Sequence, residues 1–193
     1  MRRVGVLGGT FDPPHIGHLV PALEARESLG LDVVLLVVAG DPWQKSAVRT
    51  VTPAAVRCDL VRLAAGDVDG LEVSEVEVRR SGPSYTVDTM EALAAAHPGD
   101  ELVLLLGTDA AAGLRTWHRW EDLRRWPVGV MERPGHRGGP PEGFDARRVG
   151  VSRLEVSSSE VRARVREGRS VRFLVPDATL AEIRRLGLYR DAR

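Results

Sequence analysis

The sequence VGVLGGTFDPPHIGH, at residues 4–18, contains in order the signals of a strand, a loop and a helix. Residues 4–7 are a short apolar run that stops at Gly8-Gly9, a pattern that predicts a buried strand entering a tight loop. Pro13-Pro14 stiffens the turn, and apolar residues at helical spacing then run through residues 15–29. This order of elements is typical of an α/β fold.

The rest of the chain continues the alternation of strands and helices. Further strands are predicted at residues 32–39, 71–79, 101–106, 128–131 and 153–156. Further helices are predicted at residues 53–65, where Thr52-Pro53 opens the helix, and at 86–97, 117–126, 158–167 and 176–186, with a surface loop at 133–145. We therefore predict an α/β fold with an open, mostly parallel sheet and helices on both faces. Residues 1–193 are predicted to form one domain, in which 157–193 is a C-terminal helical subregion.

Composition excludes several classes of protein. The 193 residues have a formal net charge of zero, which gives no overall field to hold a nucleic-acid backbone. The longest apolar runs are six or seven residues, too short to span a membrane. One cysteine, Cys58, excludes an internal disulfide, and with no N-terminal signal a cytoplasmic location is predicted. The sequence leaves open whether the chain acts alone or as a homo-oligomer.

The loops that follow the strands contain the candidate chemistry. In a parallel sheet, ligands bind beyond the carboxyl ends of the strands, so the loops after residues 7, 39, 106 and 156 should surround one crevice. Gly8 and Gly9 let backbone amides approach a ligand, and Thr10 adds a hydroxyl. His15 and His18 share a helix face at the N-terminus of a helix, a site for anions and above all polyphosphate. A metal site and two structural histidines are the alternatives, but no third ligand falls at zinc-like spacing, so no metal ligands are predicted.

Two motifs are similar to those of a known superfamily. GGTFDPPHIGHL, at residues 8–19, closely resembles the HxGH signature of the adenylyl- and cytidylyltransferases, and VSSSEVR, at 156–162, resembles their ISSTxIR motif. The resemblance implies a Rossmann-like nucleotidyltransferase fold, in which an acceptor attacks the α-phosphate of a nucleoside triphosphate and Mg²⁺ helps pyrophosphate leave. It also implies a catalytic group and a group of ATP and phosphate ligands. The catalytic residues would be His15, His18 and Arg162; the ligands would be Gly8, Gly9, Thr10, Phe11, Ser157 and Ser158. For the second motif alone, a helix cap followed by a surface arginine is the alternative.

The middle of the chain indicates the acceptor. RSGPSYTVDT, at residues 80–89, looks like the (G)PSYTxDTL stretch of bacterial nicotinate-nucleotide adenylyltransferases, and LGTDA with Trp117 and Trp120 is similar to their GxDA and WxxW elements. A pyridine carboxylate needs an aromatic face, which Trp117 would supply, and donors, which the amides of Tyr85 and Thr86 would supply. Asp109 is placed to accept from ribose hydroxyls, and Lys45 and Arg133 are candidates for phosphate contacts.

These assignments have structural alternatives. Trp117 could belong to the buried side of an amphipathic helix, Tyr85 could be a core residue, and Asp109 could cap a helix. Lys45 is the only lysine among 27 basic residues, and chance survival of that lysine stays as open as a specific role. The prediction is transfer of AMP from ATP to nicotinate mononucleotide in NAD biosynthesis. The rival functions are an adenylyltransferase for nicotinamide mononucleotide or phosphopantetheine, and a non-catalytic nucleotide sensor.

Overall fold

The computed structural model describes residues 1–42, 50–132, 135 and 138–190. The strands are β1 (Arg3–Gly9), β2 (Val33–Val38), β3 (Leu71–Ser74), β4 (Glu101–Gly107), β5 (Val128–Glu132) and β6 (Ala146–Gly150). The helices are α1 (Ile16–Leu29), α2 (Ala54–Ala65), α3 (Thr86–Ala96), α4 (Thr108–Ala112), α5 (Ser158–Arg166) and α6 (Asp177–Arg185), with 3₁₀ helices at Leu114–Thr116 and Trp120–Arg125. Within the described ranges, no helix is both long and apolar enough to cross a membrane.

The six strands form one sheet in the order β3-β2-β1-β4-β5-β6, and every pair of neighbours is parallel. This confirms the open parallel sheet predicted from the sequence. Val4 of β1 is in register with Val33 on one side and with Leu102 on the other. The chain builds outward from β1 to β3, then returns to place β4 on the other side of β1. The crevice beyond β1 and β4 is therefore the switch point of the topology, where open α/β sheets bind ligands.

Helices cover both faces of the sheet because the central strands have no polar face. All six residues of β2 are buried. One core joins alternate residues of these strands to α1 and α2 through Ala22 and Val61, and the other joins them to α3 through Met90. A third, smaller cluster belongs to the C-terminal segment and contains Val156, Val161, Val171, Val175 and Leu180.

One predicted strand is shorter in the structure, and another is wrong. The strand predicted at residues 71–79 ends at Ser74, and the Arg79 amide donates to the Glu75 carbonyl at 3.0 Å in a turn. The alternation misleads because the Glu77 carboxylate turns inward and accepts from the Thr89 hydroxyl. Residues 153–156 also form no strand, since Val156 packs into the C-terminal cluster instead of the sheet. The last strand is β6, which precedes this segment.

Two helices also differ from their predictions. The helix predicted at residues 117–126 is a shorter 3₁₀ helix, Trp120–Arg125, which starts only after Arg119 because Arg119 takes a left-handed conformation with φ 50°. At the start of α2, Pro53 occupies the N-cap position and no side chain caps the helix. The Thr52 hydroxyl, predicted to be that cap, donates to the Tyr189 hydroxyl at 3.5 Å.

Candidate active site

Two imidazoles lie at the N-terminus of α1, directly after the loop that leaves β1. His15 is the N-cap, and its Nδ1 accepts from the Gly17 amide at 3.1 Å. His18 Nδ1 accepts from the His15 amide at 3.3 Å, and the two ring centroids are 3.8 Å apart. A ring nitrogen that accepts an N–H has no proton of its own, so each neutral ring holds its proton on Nε2. The backbone therefore sets both histidines as Nε2–H donors beside the helix N-terminus.

Phe11 supports His18 from within the loop. Its ring is buried, meets the His18 ring edge-on with centroids 4.9 Å apart, and lies against the backbone of Gly9. A Cβ at Gly9 would stand 2.7 Å from Phe11 Cζ, closer than carbon atoms pack. Phe11 itself has φ 49°, a conformation that a bulky residue holds only when its surroundings enforce it.

The serine-rich segment at the start of α5 meets this loop across about 145 residues of sequence. The Ser158 hydroxyl donates to the Pro13 carbonyl at 2.9 Å. Arg162 donates through Nη1 to the Asp12 carbonyl at 2.7 Å and through Nη2 to the Ser159 hydroxyl at 3.1 Å. Ser157 caps α5 by accepting from the Glu160 amide at 3.1 Å. The structure thus brings the two predicted phosphate motifs together.

A cavity of about 340 Å³ opens beyond the carboxyl ends of β1 and β4. Gly8, Gly9 and Thr10 line it from the loop after β1. Across the cavity its lining includes Tyr85 and Thr86 at the start of α3, with Trp117. A cavity of this volume falls in the range of small-molecule sites, and it has both an aromatic wall and a helix N-terminus.

Sequence reasoning missed two parts of this wall. The His118 ring stacks on Tyr85 with centroids 4.3 Å apart, next to Trp117 in the sequence. Buried Glu77 and Thr89 also line the cavity, where the Thr89 hydroxyl donates to Glu77 Oε1 at 2.6 Å. His118 could have been found from the sequence, because its aromatic side chain directly follows Trp117, a predicted site residue. Nothing local marked Glu77, whose place depends on the turn after β3.

The remaining predicted site residues have separate outcomes. Asp109 is exposed in the first turn of α4, and its neighbour Ala110, not Asp109, lines the cavity. Lys45 and Arg133 lie outside the described residues. Among the described residues, no three histidine, cysteine or acidic side chains form a group that could hold a metal ion. Burial raises the pKa of the Cys58 thiol, which is consistent with a core residue and not with a nucleophile.

Comparison with known proteins agrees with this geometry. The profile of the cytidylyltransferase-like family matches residues 6–164, which include the end of β1, both histidines and Arg162. The chain belongs to this family. Among its relatives is the probable nicotinate-nucleotide adenylyltransferase of Exiguobacterium sibiricum, 44% identical over 188 residues that cover 97% of this chain and 98% of that protein. The protein of the same name from Acidothermus cellulolyticus is 40% identical over 198 residues, covering 97% and 94%.

Solved structures share the fold of this family member at low sequence identity. The Plasmodium falciparum nicotinic acid mononucleotide adenylyltransferase, solved in complex with NaAD, has a TM-score of 0.77 at 17% identity and covers 98% of each chain. A putative nicotinate-nucleotide adenylyltransferase from Vibrio parahaemolyticus has a TM-score of 0.72 at 20% identity, covering 100% of this chain and 98% of that one. Both are nucleotidyltransferase folds, as predicted.

Proposed function

We propose that this chain transfers AMP from ATP to nicotinate mononucleotide, which gives nicotinate adenine dinucleotide and pyrophosphate. One observation supports this function above the others. The two phosphate motifs meet beside a cavity whose lining includes the aromatic ring and helix N-terminus that a pyridine carboxylate requires. The near-full-length relatives with this activity in their names support the same acceptor.

In the proposed reaction, a phosphate oxygen of nicotinate mononucleotide attacks the α-phosphorus of ATP. A new phosphorus–oxygen bond forms, and the bond from the α-phosphorus to the bridging oxygen breaks, so pyrophosphate leaves with the electron pair. The attacking phosphate is already ionised near neutral pH, and no strong general base is required. Catalysis then consists of positioning and of stabilising the charge that develops on the transferring group.

The ATP side of the site is assigned to the loop after β1 and to the C-terminal motif. His15 and His18 would donate from Nε2 to phosphate oxygens, since their Nδ1 atoms already accept backbone amides. Arg162 would add a positive charge whose orientation is fixed by its bonds to Asp12 and Ser159. The further ATP and phosphate ligands would be Gly8, Gly9, Thr10, Phe11, Ser157 and Ser158, with Lys45 and Arg133.

The acceptor side is assigned to α3 and Trp117. The pyridine ring would stack on Trp117, and its carboxylate would accept from the amides of Tyr85 and Thr86 at the start of α3. Asp109, which is exposed and next in sequence to the cavity-lining Ala110, would accept from ribose hydroxyls. The amide of nicotinamide mononucleotide is uncharged and gains less from the helix N-terminus, which favours the acid.

Nucleotidyltransferases of this kind generally use a divalent metal. We propose that Mg²⁺ enters with ATP as part of the substrate, with phosphate oxygens and water as its main ligands. The bound ion would neutralise charge on the leaving pyrophosphate.

The test is a panel of acceptors compared by initial rate. The chain is incubated with ATP and Mg²⁺ and with nicotinate mononucleotide, nicotinamide mononucleotide or phosphopantetheine, and both pyrophosphate and the nucleotide product are measured. We expect nicotinate mononucleotide to react fastest. A faster reaction with another acceptor would reassign the substrate, and ATP binding without pyrophosphate release from any acceptor would indicate a nucleotide sensor.

A further inference from the structure

The carboxylate of Asp12 is buried inside the phosphate loop, where a charged group requires hydrogen bonds. One of them comes from the far end of the chain, because the Tyr189 hydroxyl donates to Asp12 Oδ1 at 2.8 Å. The Thr52 hydroxyl in turn donates to the Tyr189 oxygen at 3.5 Å. Burial, with the Asp12 charge beside it, raises the pKa of Tyr189, so the phenol keeps the proton that it donates.

Tyr189 is held in place by the docking of α6 on α2. Ile183 and Leu180 of α6 are buried, and the Thr179 hydroxyl donates to the Leu60 carbonyl at 3.4 Å. After the helix ends, Tyr189 takes a left-handed conformation with φ 62°. A bulky residue holds such a conformation only where its contacts specify it. The position of this hydroxyl is therefore set by the fold.

A second buried side chain holds the other end of the same loop. Arg57 of α2 is 1% exposed. Its guanidinium donates to the Thr10 carbonyl at 2.8 Å, to the Thr52 carbonyl at 2.7 Å and to the Gly40 carbonyl at 3.3 Å. Phe11 thus lies between two residues that are anchored from outside the loop, Thr10 by Arg57 and Asp12 by Tyr189 at its carboxylate and by Arg162 at its carbonyl.

The strained residue between these anchors is the one that supports a proposed catalytic histidine. The Phe11 ring packs against His18 and leaves Gly9 no room for a side chain. A loosened Asp12 would let Phe11 relax from its left-handed conformation and release the His18 ring. A displacement of about 1 Å at a reacting group is enough to lower turnover by up to 100-fold.

We infer that Tyr189 is a positioning residue for adenylyl transfer, and that it acts through the Asp12 carboxylate on the phosphate loop that holds Phe11 and His18. The inference rests on the proposed function of that loop. Tyr189 does not line the cavity, so its effect should be on turnover more than on the binding of either substrate.

The test compares Tyr189→Phe with a packing control. Tyr189→Phe removes only the hydroxyl, and Ile183→Val loosens α6 by one methyl group without touching Asp12. We expect Tyr189→Phe to lower kcat about tenfold, as loss of a hydrogen bond to a charged group would, with KM for both substrates within about twofold. Ile183→Val should lower the melting temperature but leave kcat within about twofold.

A double-mutant cycle with Asp12→Ala, which removes the acceptor oxygen, separates a positioning role from a structural one. If Tyr189 acts through the carboxylate, Tyr189→Phe should cause little further loss of kcat once Asp12 is alanine. Turnover by Tyr189→Phe within twofold of the parent chain, or losses that multiply in the double variant, would overturn the inference. If the single or the double variant at Asp12 unfolds, the test still stands on kcat and both KM values, compared between Tyr189→Phe and Ile183→Val. Failure of the proposed function is distinguishable, because the parent chain itself would then form no dinucleotide.

Discussion

The contact between Gly9 and Phe11 predicts that one added methyl group will disable the site. In Gly9→Ala, the new Cβ would stand 2.7 Å from Phe11 Cζ and 2.8 Å from Cε2. Carbon atoms pack at about 3.5–4.0 Å, so the ring must move by roughly 1 Å. Phe11 is buried and cannot swing into solvent, and the atoms it contacts include the His18 ring.

The expected size of the effect follows from this geometry. Overpacking a buried site costs about 1–3 kcal/mol of unfolding free energy, which lowers the melting temperature of a chain of this length by roughly 2–12 °C. A displacement of His18 by a similar distance should lower kcat on the order of 100-fold. The assays are thermal unfolding and steady-state turnover with ATP and nicotinate mononucleotide, well below the melting temperature.

Gly5→Ala is the matched control, in the same strand but away from the phosphate loop. Its Cβ would stand 2.8 Å from Leu31 Cδ1 and 2.9 Å from Leu105 Cδ1, which are the flexible ends of core side chains. We expect it to lower the melting temperature as well, but to leave kcat within about twofold. Parental turnover by Gly9→Ala, or a loss of turnover by Gly5→Ala as large as that of Gly9→Ala, would refute this prediction.

Three further predictions address the histidines, the acceptor wall and the surface charges. His18→Ala should lower kcat by about 100-fold or more without unfolding the chain. His97 is an exposed histidine at the end of α3, and His97→Ala should leave kcat unchanged. A fully active His18→Ala variant would contradict the role assigned to His18. Trp117→Ala should weaken the binding of nicotinate mononucleotide far more than the binding of ATP in calorimetric titrations. The control is Trp120→Ala, which should show no such selectivity, because the Trp120 ring packs against the Arg124 guanidinium, 4.9 Å from the ring centroid. Equal losses of affinity for both substrates in Trp117→Ala would indicate a structural tryptophan. Hydrogen bonds from Arg119, then Arg125, lower the pKa of Glu91 to about 2, from 4.5. A carboxylate whose pKa is lower in the folded state stabilises the fold at pH values above its unfolded-state pKa, and this contribution is lost as the pH falls through its folded-state pKa. The destabilisation by Glu91→Gln, measured by urea unfolding, should therefore shrink from pH 5 towards about pH 2. A difference in unfolding free energy that stays constant or grows over this range would contradict the assignment.

Much of the sheet could be predicted from local sequence because its central strands are buried on both faces. β1 and β2 are short apolar runs bounded by glycine or turn residues. A parallel strand that is covered on both faces has this continuous apolar pattern because neither of its faces is exposed to water. The edge of the sheet was harder. β6 has the sequence ARRVG with only Val149 buried, so its pairing with β5 leaves no apolar signature.

The phosphate loop shows the same division between local and distant information. The three-residue spacing of His15 and His18 predicted that their rings are neighbours, and the ring centroids are 3.8 Å apart, although His15 is the extended N-cap and only His18 lies within the helix. The protonated nitrogen of each ring was not evident, since it depends on which backbone amide each Nδ1 accepts in the folded chain.

The supports of that loop were decided by tertiary structure alone. Asp12 and Tyr189 are separated by 177 positions, and Arg57 joins carbonyls that follow two different strands. Hydrogen bonds of this kind leave no periodicity in the sequence, because each depends on where the sheet brings distant backbone groups together. The sequence alone thus determined the central strands, the helix that carries both histidines and the class of reaction. The tertiary structure decided how the loop is held, because a buried carboxylate and three carbonyls must find donors wherever the fold supplies them.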